Sequence, residues 1–327
     1  MTTDRTAWLA LAALTQPGNH EVGTLVRSAG PVQALDQLRH NEDLSPALAA
    51  AANSRHNPSY RSSDSVDRIA SDMLHRADRV GARIITPADD EWPRSLDDLA
   101  AISRGTDPLH RDTDPPMCLW LRGPARLAEA LDRSVSVVGA RAVTQYGEFV
   151  ASELAYRLAE RGWAVVSGGA LGIDVTAHRG ALAAGGVTCA VLACGIDQVY
   201  PVSNSAMFER IAEEGLLITE WPPGTRPDRA RFLTRNRIIA AATRGTVMVE
   251  AASRSGARNT LGYARRLERS AMAVPGPVTS ALSVGCHLEL RVPGTVLVTR
   301  VEEIVEEIGR IGALTEPTGG EKPSEDG

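Results

Sequence analysis

Two loops in the middle of the chain combine the residue types that bind anions. The first covers residues 139–147 and the second covers residues 167–174. Glycines let the backbone approach a ligand closely, hydroxyl groups donate hydrogen bonds, and a guanidinium group adds charge. The contacts predicted on these grounds are Arg141, Thr144, Tyr146, Ser167, Gly168, Gly169 and Gly172. The alternative for each glycine is that it serves only to make the turn between a strand and a helix.

The segments that flank the loops predict a βαβ unit. A short apolar run at 135–138 ends at a glycine, and a second run at 163–166 is also followed by glycines, as is typical of buried strands. Between them, apolar residues recur at helical spacing over 146–161. The carboxyl ends of parallel strands form the ligand-binding edge of such sheets, and the helix after the second loop directs free N–H groups to that edge. Both loops therefore belong to one predicted site.

The same alternation of strands and helices continues along most of the chain. Further strands are predicted at 83–85, 117–122, 187–192, 216–219 and 246–250, and further helices at 66–80, 175–184, 205–214 and 301–311. This pattern is typical of an α/β protein. We predict an extended Rossmann-like, doubly wound and mostly parallel sheet, preceded by a small helical domain.

Composition sets the expected domains and compartment. The 327 residues are 43% hydrophobic, enough for one large and one small globular domain. We predict a small helical domain with a linker over residues 1–65, the sheet domain over 66–311 and a disordered acidic tail over 312–327. No run approaches the ~20 apolar residues of a membrane span, and no signal peptide is expected. The four cysteines form no Cys-x-x-Cys pair, so the cytoplasm is the expected compartment.

A second group of candidate residues lies in an arginine-rich stretch. The whole chain carries a net charge of −5, yet residues 226–269 hold eleven arginines against three acidic residues. Asn236 is predicted to start a helix that carries the next two isoleucines into the core. Arg235 and Arg237 are then expected near the helix start, at the ligand edge of the sheet. The alternative for these two arginines is a solvated surface pair.

A third group follows the predicted strand at 246–250. Ser255 and Gly256 open a further helix there. Because the N-terminus of a helix is a favourable place for an anion, we predict a second anion site at these residues.

These residues resemble the motifs of the DNA-processing protein A family, which is also called Smf. The matching segments are Gly139-Ala140-Arg141, Thr144, Tyr146-Gly147, residues 167–174, Arg235-Asn236-Arg237-Ile238-Ile239, Ser255-Gly256, Thr260 and Ala273-Val274-Pro275-Gly276. The resemblance extends from about Trp92 to Ile308. It departs from the family at Leu171, where an arginine is usual, and at Cys286-His287.

The resemblance implies a protein that binds single-stranded DNA and delivers it to the RecA recombinase in natural transformation and recombination. It also implies a homodimer. Many members of that family carry a C-terminal winged-helix domain, but too few residues remain here to expect one, and no membrane contact is expected. It adds Gly139, Asp174, Phe232, Asn236 and Thr260 to the predicted DNA contacts. No catalytic residue, metal site or cofactor is predicted, so the chain is not expected to be an enzyme.

The main rival hypothesis is a nucleotide phosphoribohydrolase, because such enzymes share this class of sheet domain. Their loop Pro-Gly-Gly-x-Gly-Thr-x-x-Glu carries a catalytic glutamate. In this chain Tyr263 stands three residues after Thr260, so no carboxylate occupies that place. The dinucleotide-binding Gly-x-Gly-x-x-Gly fingerprint is also absent from both glycine loops, which counts against a nicotinamide enzyme. A mononucleotide-binding regulator that uses the same loops is the third hypothesis.

The C-terminal apolar stripe permits two interpretations. Val301, Ile304, Val305 and Ile308 recur at helical spacing, with glutamates on the opposite face. The stripe either packs against the chain's own sheet or contributes to the homodimer interface that the resemblance implies.

Overall fold

The computed structural model describes residues 3–40, 44–53, 60–103 and 113–315. Its α-helices are α1 (Asp4–Leu14), α2 (His20–Ala29), α3 (Pro31–His40), α4 (Pro46–Asn53), α5 (Val66–Asp78), α6 (Leu99–Ile102), α7 (Leu127–Asp132), α8 (Gln145–Glu160), α9 (Ile173–Ala183), α10 (Ser205–Glu214), α11 (Arg229–Ala241), α12 (Ala257–Arg266), α13 (Val284–Glu289) and α14 (Val301–Thr315). Its strands are β1 (Arg83–Ile85), β2 (Leu119–Arg122), β3 (Ser134–Val138), β4 (Ala164–Ser167), β5 (Thr188–Val191), β6 (Leu216–Thr219), β7 (Gly245–Met248), β8 (Ser270–Ala273) and β9 (Thr295–Leu297).

The described strands form one sheet in the order β1-β2-β6-β5-β4-β3-β7-β8-β9. Every neighbouring pair from β6 to β9 in this order is parallel, whereas β1 and β2, and β2 and β6, pair antiparallel. This confirms the predicted doubly wound, mostly parallel sheet. The winding reverses between β3 and β7, where Val138 pairs with Met248. The loops that follow β3 and β7 therefore flank the topological switch point, where open α/β sheets bind ligands.

Helices cover both faces of the sheet. On one face, α11 and α12 pack over a cluster that includes Val138, Val166 and Ile239. On the other face, α8, α9 and α14 enclose a cluster that includes Val137 and Val165. Because the central strands are buried on both faces, they need nearly continuous apolar runs, and the β-branched valines supply them.

The C-terminal stripe packs inside the chain. Val301, Ile304 and Ile308 of α14 are at most 4% exposed and belong to the same hydrophobic cluster as α8. The interpretation in which the stripe packs against the chain's own sheet is therefore confirmed for these three residues, and Val305 is partly buried beside them. These three side chains are not available to a homodimer interface. The helix continues past the predicted domain boundary to Thr315, and the rest of the predicted acidic tail lies outside the described residues.

The N-terminal helices pack on the sheet. Residues of α1, α2, α3 and α5 share a hydrophobic cluster with Ile84, Trp120 and Leu217 of the sheet. Arg5 of α1 also donates a hydrogen bond to the Ile84 carbonyl at 2.9 Å. The domain boundary at residue 65 stays a prediction, and part of the predicted linker lies outside the described ranges. Among the helices that the structure describes, none has the length and apolar character needed to cross a membrane.

The helix that carries the arginine motif begins earlier than predicted. α11 starts at Arg229, and the Asp228 carboxylate caps it by accepting a hydrogen bond from the Ala230 N–H at 2.9 Å. Asn236 is an interior residue of this 13-residue helix, so its prediction as a helix start is wrong. The first turns escaped the sequence analysis because they lack an apolar periodicity. The two isoleucines of the motif are buried, as predicted.

Candidate functional site

A cleft of about 950 Å³ lies at the carboxyl edge of the sheet, beside the switch point. It is formed by the loops after β3 and β7, by α11 and by part of the loop after β4. The predicted site residues in its lining are Gly139, Arg141, Asp174, Phe232, Arg235, Asn236, Ser255, Gly256 and Thr260. The structure therefore brings residues from three separate motifs into one cleft. The predicted residues outside its lining are Thr144, Tyr146, Ser167, Gly168, Gly169, Gly172 and Arg237.

Arginine and aromatic side chains stack on one wall of the cleft. The Arg141 guanidinium lies 4.9 Å from the centroid of the Phe232 ring, and the Tyr200 ring centroid lies 5.6 Å from the same point. Two further arginines of the lining, Arg229 and Arg254, are exposed. Such a wall offers positive charge and ring faces side by side, which is how proteins contact the phosphates and bases of unpaired strands.

The glycine loop after β4 is closed by its own carboxylate. Asp174 Oδ2 accepts hydrogen bonds from the N–H groups of Gly168 at 3.2 Å and Ala170 at 3.4 Å, and the Gly139 N–H also contacts this carboxylate. Burial raises the pKa of Asp174, whereas the nearby Arg235 and these N–H groups act to lower it. An internal anion therefore occupies the place that was predicted for a ligand at the N-terminus of α9.

Close packing within the protein explains the glycines around this loop. A Cβ atom at Gly168 would lie only 2.6 Å from Cζ of Arg235. Gly172 has a φ of +80°, and a Cβ atom there would lie 2.5 Å from the Arg141 carbonyl oxygen. Two other glycines of the motif also lack room for a side chain, namely Gly139 and Gly169. The fold itself therefore requires these glycines, independently of any ligand.

Arg235 lies beneath the glycine loop and reaches the cleft. It is 4% exposed, and its Nη1 donates to the Gly168 carbonyl at 2.8 Å and to the Val191 carbonyl. Burial lowers the pKa of Arg235 to about 10, so the side chain stays charged at neutral pH. It also lies 5.9 Å from the Phe232 ring centroid, on which Arg141 stacks as well. Arg235 is thus a buried positive charge below the cleft, and the solvated alternative does not apply to it.

Arg237 is buried away from the cleft. Its Nη1 and Nη2 each donate to one carboxylate oxygen of Glu220 at 2.6 Å, and its Nε donates to the Asp114 carbonyl at 3.1 Å. Both side chains of the ion pair are at most 2% exposed. The prediction that Arg237 contacts phosphate is wrong, because its donors are used in a bidentate buried ion pair.

Two of the predicted hydroxyl donors are used by the protein itself. Ser167 is fully buried, and its Oγ donates to the Val137 carbonyl at 2.7 Å. The prediction of a ligand contact by Ser167 is therefore wrong, since the hydroxyl joins β4 to β3. Tyr146 donates to the Pro275 carbonyl at 2.5 Å, and its side chain remains partly exposed outside the cleft lining.

Sequence reasoning missed Glu250, a buried residue that holds the loop after β3. Its Oε1 accepts from the Thr144 hydroxyl at 2.7 Å, and its Oε2 accepts from the Thr144 N–H at 3.0 Å. Thr144 Oγ1 in turn accepts from the Gly147 N–H at 3.1 Å and so caps α8. The available signal was a glutamate directly after an apolar strand, because a buried carboxylate needs donors of this kind. Thr144 therefore shapes the loop and is not itself part of the lining.

The loop after β7 is the open part of the site. Gly256 is exposed, and a Cβ atom added there would meet nothing within 4 Å. Asn236 Nδ2 donates to the Gly256 carbonyl at 3.3 Å and so ties the loop to α11. Ser255 Oγ accepts from the Ala257 N–H at 3.3 Å, and Thr260 is buried behind them. The next two N–H groups of α12, those of Arg258 and Asn259, donate to the carbonyls of Ser255 and Gly256. The N-terminus of α12 thus borders the cleft and favours an anion through its helix dipole.

Comparisons with known proteins agree on one family. A profile of the family DNA recombination-mediator protein A matches residues 83–309. A candidate DNA processing protein DprA from Mycobacterium tuberculosis is 49% identical over 308 residues, which cover 94% of this chain and 76% of the relative. The chain belongs to the DNA recombination-mediator protein A family. This confirms the resemblance drawn from the loops and the arginine motif.

Solved structures of DNA processing protein A also match. The Streptococcus pneumoniae protein superposes with a TM-score of 0.70 at 27% identity, over 94% of this chain and 98% of that chain. The Helicobacter pylori protein, whose structure concerns its single-stranded DNA binding mode, superposes with a TM-score of 0.57 at 25% identity. The match covers 70% of this chain and 96% of that chain. The family that matches is one of recombination mediators, which counts against the phosphoribohydrolase hypothesis. Tyr263, which stands where those enzymes carry their glutamate, is buried here.

Proposed function

We propose that this chain binds single-stranded DNA in the cleft beside the switch point. The observation that carries the proposal is the cluster of Arg141, Phe232 and Tyr200 next to the N-terminus of α12. Guanidinium groups and the positive end of a helix dipole match phosphates, and aromatic rings match bases, which a duplex keeps stacked and paired. The family of the chain and the single-stranded DNA binding of the Helicobacter pylori relative support the same function.

The charges around the cleft favour a polyanion. Four arginines and two aspartates line it, which gives a local balance of +2, whereas the whole chain carries −5. Of the two acidic residues, Asp174 is offset by backbone N–H groups and Arg235, and Asp228 caps α11. The net positive charge is therefore concentrated where the strand is proposed to bind.

Titration with single- and double-stranded oligonucleotides of one sequence, at two salt concentrations, tests this proposal. We expect the single strand to bind more tightly, and we expect its affinity to fall as salt rises because binding releases counterions. Equal affinity for both forms, or an affinity that does not depend on salt, contradicts the proposal. AMP added as a competitor tests the regulator hypothesis. That hypothesis requires one bound AMP per protein chain to displace the DNA strand.

We further propose that the chain delivers the strand to the RecA recombinase in the cytoplasm and acts as a homodimer. Both parts rest on the family to which the chain belongs. For delivery, we expect the protein to speed RecA filament formation on single-stranded DNA, and we expect an Arg141→Ala variant to lose that effect. For the homodimer, we expect sedimentation to show a dimer at tens of micromolar protein. A monomer at that concentration would contradict the proposal, because only a weak association would then be possible.

A further inference from the structure

A second cleft, here named the amino-edge cleft, lies at the opposite edge of the sheet from the proposed DNA site. Its volume is about 900 Å³. It is formed by residues that precede β3, β7 and β8 and by the segment from Trp92 to Ile102. Its charged residues are the arginines Arg94, Arg244, Arg266 and Arg269 and the acidic residues Asp98, Asp132 and Glu268.

Three of the four arginines in this cleft form ion pairs, and the longest is between Arg94 Nη1 and Asp97 Oδ2 at 3.8 Å. Arg244 Nη2 donates to Asp132 Oδ1 at 3.0 Å, and Arg269 Nη2 donates to Asp98 Oδ2 at 2.5 Å. Both carboxylates are more than half exposed, so water and salt screen them strongly. These pairs therefore use one edge of each guanidinium group and offset only part of its charge.

Two guanidinium nitrogens of the cleft have no comparable contact. Arg266 Nη2 donates to the Ile102 carbonyl at 2.7 Å, but Arg266 Nη1 has no hydrogen-bond partner among the described residues. Arg269 Nε also has no hydrogen-bond partner in the part of the chain that the structure describes. Both nitrogens are buried. Burying a charged donor without an acceptor is costly, so both guanidinium groups would gain an acceptor by turning toward an anion in the cleft.

We propose that the amino-edge cleft binds a phosphate group through Arg266 and Arg269. The planar guanidinium fork matches phosphate oxygens, and two forks from one turn can share one anion. The four arginines and three acidic residues of the cleft leave a balance of +1, and the C-termini of α11 and α12, each with about half a unit of negative charge, offset it. The proposal therefore rests on the local guanidinium contacts of Arg266 and Arg269 and not on the overall charge of the cleft. Glu268 also opposes binding from an exposed, left-handed turn with a φ of 57°.

Two sources of phosphate fit this chemistry. One is the backbone of a DNA strand that continues from the first cleft, in which case the inference rests on the proposed function. The other is a free phosphate or a mononucleotide. The strands β3, β7 and β8 have four or five residues, so the two edges are roughly 15 Å apart along the strands at ~3.3 Å per residue. Helices about 10 Å in diameter cover both faces of the sheet, so a DNA strand that joins the two clefts must also pass around a layer of helices. A very short strand therefore occupies only the first cleft, whereas a longer strand reaches both.

Binding of three probes distinguishes these sources. The probes are an oligothymidylate of about 6 nucleotides, one of about 30 nucleotides, and AMP or inorganic phosphate. Arg266→Gln removes the charged donors, and Glu268→Gln removes the opposing charge. Arg157→Ala is the matched control, because Arg157 lies on the exposed face of α8 and pairs with Glu153 and Glu160 there.

If the strand supplies the phosphate, Arg266→Gln weakens binding of the long strand about threefold and flattens its log–log salt slope by about 0.7, while the short strand binds as before. If a free phosphate is the ligand, the variant weakens binding of AMP and phosphate and leaves both strands unchanged. Glu268→Gln tightens binding of the same probe in either case, and misfolding cannot produce such a gain.

The proposal is overturned if neither variant differs from Arg157→Ala with any of the probes. Wild-type binding of the short strand reports on the first cleft alone. A failure of the proposed DNA-binding function therefore shows as a loss of that binding, separately from any result at the amino-edge cleft.

Discussion

Two loops at the carboxyl edge of the sheet each contain glycine and lead into a helix, but they differ in whether an internal carboxylate lies at the start of that helix. In the loop after β4, the Asp174 carboxylate accepts the backbone N–H hydrogen bonds, and Arg235 packs against Gly168. In the loop after β7, Gly256 is exposed with open space around it, and exposed Arg254 stands beside it. A glycine-bearing loop at a helix start can thus be completed by an internal anion or remain open to an external one.

This comparison separates stability from binding. Substitutions in the closed loop after β4 should change the free energy of unfolding, because its groups satisfy one another inside the protein. Substitutions in the open loop after β7 should leave that free energy almost unchanged and affect DNA affinity instead.

The largest effect is expected for Asp174→Ala. The substitution removes the acceptor of three backbone N–H groups and the negative charge nearest to buried Arg235, so we expect a loss of about 3 kcal/mol in the free energy of unfolding. Urea denaturation measures it. Asp197→Ala is the matched control, because Asp197 ends a second Gly-Ile-Asp sequence at residues 195–197 but is exposed. Its substitution should lower the free energy of unfolding far less. A normally stable Asp174→Ala variant that binds DNA poorly contradicts the closed-loop account and makes Asp174 a ligand contact.

A pair of glycine substitutions sharpens the same comparison. Gly168→Ala forces the Arg235 guanidinium to move, so we expect it to lower stability by about 2 kcal/mol. Gly256→Ala adds a methyl group in open space, at an ordinary negative φ, and should change stability by less than about 0.5 kcal/mol. Thermal melts of the two variants, run together, give the comparison. Equal melting temperatures for both would remove the distinction between the loops.

The sheet and its ligand edge could be predicted from the sequence, whereas the roles of individual site residues could not. Apolar β-branched runs that end in glycine have few alternatives to buried parallel strands. Ser167 and Arg237 were assigned wrongly because their partners lie far away in the chain, at Val137 and Glu220. No local pattern shows which hydroxyl or guanidinium group the folded core will use, or that a loop's own Asp174 will act as its anion.

Acid should destabilise the protein through His178, which lies on α9 behind the closed loop. Burial lowers the pKa of His178 to about 3, while in the unfolded chain it is about 6.5. Above pH ~6.5 the residue is neutral in both states and has no effect, but between pH ~6.5 and ~3 only the unfolded state takes up the proton. Stability should therefore fall by up to about 1.4 kcal/mol per pH unit in that window.

Comparison of His178→Gln with the wild type isolates this effect. Asp174 acts in the opposite sense, because burial raises its pKa, but its contribution is common to both proteins and cancels in the difference. Urea denaturation at a series of pH values should show a shallower acid loss for the variant. Parallel curves for the two proteins would show that His178 is not the residue responsible.

The smallest changes in stability are expected for substitutions of exposed arginines in the cleft. Arg141→Ala and Arg254→Ala remove exposed side chains, so both variants should melt with the wild type. Each should nevertheless weaken binding of single-stranded DNA of any sequence. Arg157→Ala, on the far exposed face of α8, provides the control for a general change in net charge.

The most direct test of DNA binding at the switch point is the salt dependence of single-stranded oligonucleotide affinity for these two variants. If Arg141 and Arg254 contact phosphates, each substitution should flatten the log–log slope by about 0.7, while Arg157→Ala keeps the wild-type slope. Folded Arg141→Ala and Arg254→Ala variants that both retain wild-type affinity and slope would show that the strand does not pass through this cleft.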